Sequence, residues 1–327
     1  MSPFTTLIDF PGFRDGFSVG LALTAVVLAA GFGLTMLPRR SHAPIGLTGP
    51  AWVIACLLVV GGGFGYRELD TFPSGMLWGL VALFVAGELA DRTPNPKLLG
   101  ALLAVTGAAL VGVSSDFPGP SWSRNLVIAT IIVASPLAAD LDRRSARLGL
   151  GPLLWLITVA GLYWTVPDTE RVRPLIGAAV PLAFTGWPKR LSRMGAGGIS
   201  AAIALFVWAA AFEGRGRPGS IVGAVASLGL FVVEPIGRML AKGRIASLSR
   251  SIRIGVFEWC VVGAQFLIVG YASRVAGFSE TGGDALVLLL PALPFAIAIG
   301  GVVRVSKRLR PRGSSTSTGR RRNHSRS

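Results

Sequence analysis

The chain has 327 residues, of which 51% are hydrophobic and only 15% charged, a balance too apolar for an ordinary soluble domain. Apolar runs long enough to cross a bilayer, about 20 residues each, recur along its length. They are continuous rather than alternating with period two, which argues against a membrane β-barrel. The net charge of +16 invites a nucleic-acid reading, but the basic residues gather in alternate loops, so membrane topology accounts for them and no nucleic-acid partner is expected.

Eleven spans are predicted, at about 16–37, 48–66, 73–90, 97–114, 125–139, 148–166, 172–187, 195–212, 218–236, 254–273 and 284–303. No signal peptide is expected, because the first run follows an acidic and aromatic lead rather than a basic one. With the N-terminus outside and the C-terminus cytoplasmic, most Lys and Arg fall on the inner side, as the positive-inside rule requires. The predicted fold is therefore all-α, a polytopic integral membrane bundle of ten or eleven helices over residues 1–303, in the inner (plasma) membrane. Residues 304–327 form a basic Arg/Ser-rich tail without apolar periodicity, expected to be disordered. Its nine basic residues suit an anionic inner leaflet, at about 1 kcal/mol per residue near the surface. Cys56 and Cys260 both lie inside apolar runs and read as packing residues, not as a disulfide or metal framework.

The inside loops carry the polar chemistry. The first holds Arg39-Arg40-Ser41-His42-Ala43-Pro44, and His42 reads most simply as a solvated juxtamembrane residue. Span three ends in Gly87-Glu88-Leu89-Ala90-Asp91-Arg92, with Lys97 opening the next span. Asp91 beside Arg92 reads as a helix-end ion pair, contributing roughly 0–1 kcal/mol. After the span ending at Ala139 come Asp140 and Asp142 with Arg143, Arg144 and Arg147, a tight acid–base cluster at the membrane boundary. The loop from Trp187 to Gly198 carries Lys189, Arg190 and Arg193 before Gly195-Ala196-Gly197-Gly198. Those glycines suit either a backbone approach to phosphate or close packing of helices, and the sequence leaves both open. Glu234 closes the ninth span and is expected to face protein or water. Gln265 and Glu258, seven residues apart, share one helix face, and Glu258 is read as snorkelling from near the helix start.

In order and spacing these loops resemble the polyprenyl-phosphate N-acetylhexosamine-1-phosphate transferase superfamily over roughly residues 16–275. That family's first loop, Arg-Ser-x-His-x-x-Pro, is similar to Arg40-Ser41-His42-Ala43-Pro44. Its Gly-x-x-Asp-Asp element falls on Gly87 to Asp91, with Ala90 in place of the first aspartate. Its Asn-x-x-Asp-Gly-x-Asp-Gly element falls on Pro136 to Arg143, where Asp142 keeps an acidic position and Ala139 replaces another. Its Phe-Met-Gly-Asp-x-Gly-Ser element falls on Arg193 to Gly198, with Ala196 where the family has a magnesium-binding aspartate. A later acidic span end is echoed by Val233-Glu234-Pro235, and a basic run by Lys242-Gly243-Arg244.

The resemblance implies transfer of a sugar-1-phosphate from a UDP-sugar to polyprenyl phosphate in cell-envelope glycan synthesis. It implies Asp91 and Asp142 as catalytic residues, and His42, Lys97, Lys189, Arg190 and Arg244 as substrate-binding ones. Asp142 and Glu234 would hold Mg2+, which neutralises the pyrophosphate and the developing charge. Alanine at 90, 139 and 196 removes three carboxylates from that set. The expectation is a non-catalytic homologue or partner in envelope assembly, in contact with membrane lipids and compatible with a homodimer. The alternatives are an active transferase with an altered metal site and, from the polar stripe and proline-broken helices, a transporter or lipid flippase.

Overall fold

A computed structural model describes residues 74–92, 97–113, 121–145, 150–165, 172–187, 194–214, 218–240 and 256–278, together with single helical positions between 18 and 29. Among them every regular element is an α-helix: α1 (Ser74–Arg92), α2 (Lys97–Val113), α3 (Ser121–Ser145), α4 (Leu150–Thr165), α5 (Val172–Gly186), α6 (Gly195–Glu213), α7 (Pro218–Ser227), α8 (Leu230–Leu240) and α9 (Val256–Phe278). Two stretches are long and apolar enough to cross a membrane, Trp122–Arg143 in α3 and Gly195–Phe212 in α6. The bent pair α7–α8 makes a third if it forms one crossing. Predicted spans 48–66 and 284–303, and the tail, lie outside the described residues, as do His42, Lys189, Arg190 and Arg244.

Helix α6 is the centre of the bundle. Every residue from Met194 to Ala211 is buried, and α1, α3 and α7 all pack against it. Its sequence explains why. Ala201, Ala202, Ala204, Ala209, Ala210 and Ala211 give a thin helix that neighbours approach closely, while Phe206 and Trp208 fill the gaps left. In lipid, packing of this kind, rather than expulsion of water, holds helices together. Trp155 of α4 meets Phe206 edge-on at 5.6 Å and Phe231 of α8 at 6.3 Å, a geometry that aromatic quadrupoles favour. By contrast α1 and α2 present Trp78, Val85, Leu98, Leu99 and Leu102 outward, as a lipid-facing surface would.

Small residues set the helix crossings. A Cβ on Gly79 would lie 2.7 Å from the carbonyl oxygen of Gly107, and one on Gly107 would lie 2.7 Å from that of Gly79, so α1 and α2 touch backbone to backbone. The α1–α6 crossing is built the same way around Gly87 and Gly197.

Two elements depart from the sequence expectation. The span predicted to end at Ala139 continues as helix to Ser145, so Asp140 and Asp142 stand on the last turns of α3 rather than in a loop. A helix does not have to stop where the hydrocarbon ends, because outside it water can serve the carbonyls of the last turn. The span predicted as one piece over 218–236 is broken. Residues Leu228 and Gly229 form a turn, and the flanking helices meet at 63°. Gly229 has φ +47°, a left-handed conformation that L side chains adopt only at a cost of about 1–2 kcal/mol.

Candidate functional site

The first turn of α6 has no cap of its own. The preceding residue is Met194, which offers no side-chain acceptor, yet the first amides of a helix have no partner within the helix. Buried in a bundle, each such amide costs about 1–3 kcal/mol if left unsatisfied. Two of them, those of Gly195 and Ala196, find acceptors on two other helices.

Helix α1 supplies one because its backbone lies directly on α6. A Cβ on Gly87 would overlap the Gly197 amide nitrogen and lie 2.5 Å from the carbonyl carbon and oxygen of Ala196. A Cβ on Gly197 would lie 2.7 Å from the Phe84 carbonyl oxygen. Of the glycines at 195–198, Gly197 serves close helix packing. Asp91, one turn beyond Gly87 on the same face, thereby reaches the amides of α6. The Ala196 N–H donates to Asp91 Oδ2 at 3.0 Å.

Helix α3 supplies the second acceptor. Asp142 is 2% exposed, and its Oδ2 accepts the Gly195 N–H at 2.9 Å. Gly195 has φ +72°, the left-handed backbone that starts α6 here and that favours glycine. Arg143, the next residue on α3, donates from its guanidinium to Asp91 Oδ1 at 2.7 Å. Being half exposed, this pair contributes little stability on its own, but it ties the ends of α1 and α3 together across the start of α6.

Two carboxylates from separate helices, a guanidinium and the positive end of a buried helix thus form one charge-compensated cluster. Anionic groups at a helix N-terminus gain from the macrodipole, by up to about 2 kcal/mol when partly buried, and charge-assisted hydrogen bonds are the stronger kind. Chemically, the arrangement fixes three helix ends relative to one another.

Of the residues singled out from sequence, Asp91, Asp142 and Ala196 meet here. Ala196 contributes its backbone amide. Glu234 is buried on α8, which packs against α3. Lys97 begins α2; its side chain is outside the described part, as are those of Arg92 and Glu258. Among the described residues no group of three or more His, Cys, Asp or Glu is placed to hold a metal ion. Sequence reasoning passed over Glu88 as a site residue, although a Cβ on Gly195 would lie 3.9 Å from its Oε1. The i, i+3 spacing of Glu88 and Asp91 on one face was the available signal.

A scan against protein-family models and a search of curated proteins each returned no match.

Proposed function

We propose that the chain is a polytopic inner-membrane protein built on the plan of the polyprenyl-phosphate sugar-1-phosphate transferases, and that it works without turnover, as a non-catalytic partner in cell-envelope glycan assembly. The observation that carries this reading is the use made of the two surviving aspartates. Asp142 Oδ2 and Asp91 Oδ2 accept the amides of Gly195 and Ala196, and Asp91 Oδ1 accepts Arg143. The segments that the resemblance aligns with three family elements, at 87–91, 136–143 and 193–198, meet at one point, which supports the common plan.

These donors do not fit magnesium. That ion requires near-octahedral oxygen ligands at about 2.0–2.1 Å. The Asp91 oxygens already face an amide and a guanidinium, and Arg143 places a positive charge beside the carboxylate a cation would need. The alanines at 90, 139 and 196 leave no replacement carboxylates at the aligned positions. Eleven spans, an outside N-terminus and a cytoplasmic C-terminus complete the proposal, on the loop charge asymmetry. Its partners are membrane lipids, polyprenyl phosphate among them, and envelope-assembly proteins.

The test is a transfer assay on the full chain in nanodiscs, with undecaprenyl phosphate, UDP-N-acetylhexosamines and Mg2+. The expected result is no UMP release above protein-free nanodiscs. Sustained release that disappears in Asp142→Ala would instead establish the active transferase with an altered site.

A further inference from the structure

At the break between α7 and α8 the amides of residues 228–233 that are described all find acceptors, and one side chain serves the Leu230 amide. The Leu228 N–H donates to the Ala224 carbonyl at 3.2 Å and the Gly229 N–H to that of Ala226 at 3.0 Å. Beyond the break, Phe231 donates to the Leu228 carbonyl at 2.9 Å, and Val232 and Val233 both donate to that of Gly229 at 3.0 Å. The Leu230 amide is served from outside the pair: it donates to Gln265 Oε1 of α9 at 3.0 Å. The Gln265 Nε2 donates to the Ser227 carbonyl at 3.0 Å, on the other side of the break, and to Thr158 Oγ1 of α4 at 2.8 Å. The Thr158 hydroxyl in turn donates to the Leu154 carbonyl at 2.9 Å.

Gln265 is fully buried, and its amide spans the break from Ser227 to Leu230. In lipid an interrupted helix persists only where its freed backbone groups are satisfied again. Gly229 allows the approach: a Cβ there would lie 2.6 Å from Gln265 Oε1. Among the described residues the Leu230 N–H is served by this side-chain amide, so the break is bridged by a residue that belongs to neither α7 nor α8.

We propose that the α7–α8 break is a joint and that Gln265 is its latch, a positioning residue that sets the direction in which α8 leaves the bundle and packs on α3. With the amide withdrawn, the Leu230 N–H and the Ser227 carbonyl lose their partners. The chain regains them by straightening the pair toward continuous helix, which swings α8 relative to α3. The device is independent of whether the carboxylate cluster turns over substrate.

The experiment is a spin-label distance measurement on the full chain in nanodiscs, with Cys56 and Cys260 replaced by alanine. Labels go at Met239 on α8 and Val133 on α3, both exposed. The parent is expected to give one narrow distance distribution. Gln265→Leu, or Gln265→Met of matching length if the first variant does not yield folded protein, is expected to add a second, resolved population. Thr158→Val removes one partner of the amide but leaves its hold on the break, and is expected to keep the parent distribution even if the melting temperature falls. A parent-like single distance in both Gln265 variants, or an equal change in Thr158→Val, would overturn the proposal.

Discussion

Gly87→Ala is expected to be a strongly damaging single-methyl change, at about 3–5 kcal/mol. The added carbon meets backbone atoms of Ala196 and Gly197, which, unlike the end of a flexible side chain, have nowhere to go. Overpacking alone costs about 1–3 kcal/mol. Separating α1 from α6 also withdraws Asp91 from the Ala196 amide, and a lost hydrogen bond to a charged group adds about 1.5–3 kcal/mol. Gly100→Ala is the control: its Cβ would find only the Ala86 carbonyl oxygen, at 3.8 Å. Helix propensity then favours alanine by about 1 kcal/mol. Thermal unfolding of the two variants in detergent should show a large loss for Gly87→Ala and none for Gly100→Ala. Equal behaviour would mean that α1 and α6 do not meet at Gly87.

The second large effect is expected at Asp142. In Asp142→Ala the Gly195 amide loses its acceptor in a buried setting and a small void opens beside it, for a combined cost of about 2–4 kcal/mol. Asp142→Asn keeps an oxygen in place and gives up only the charge, so about 1 kcal/mol of helix-terminus interaction is lost. Alanine well below asparagine in melting temperature is the signature of a cap. Asparagine as harmful as alanine would mean that the charge itself carries the role.

The transferase resemblance and the helix cap select the same two aspartates for different reasons, and the sequence alone does not separate those reasons. Asp91 and Asp142 are 51 positions apart, and the amides that donate to them lie another 53 or more residues along the chain; no local pattern records such a pairing. What was legible was local. The ranges 97–114, 172–187 and 195–212 closely match α2, α5 and α6, because apolar runs bounded by proline, glycine and charge leave few other readings. The continuation of α3 through Asp140 and Asp142 is not legible, because charge marks the end of hydrocarbon but not of helix. The break at Gly229 was missed because a lone glycine in an apolar run looks like a packing residue until its φ is known. The sequence puts Gln265 on one helix face with Glu258, but its place at a break 36 residues upstream is not visible there.

The claim at the centre of this account is that the aspartates serve the start of α6 rather than a metal ion. The most direct measurement is the melting temperature of the full chain across a Mg2+ titration at constant ionic strength, for the parent and for Asp142→Asn. A ligand that binds the folded state raises stability by RT ln(1 + [L]/Kd), about 2.7 kcal/mol at a hundredfold excess over Kd. Flat, parallel curves are expected for both proteins. A saturable rise in the parent that is lost in Asp142→Asn would contradict that claim.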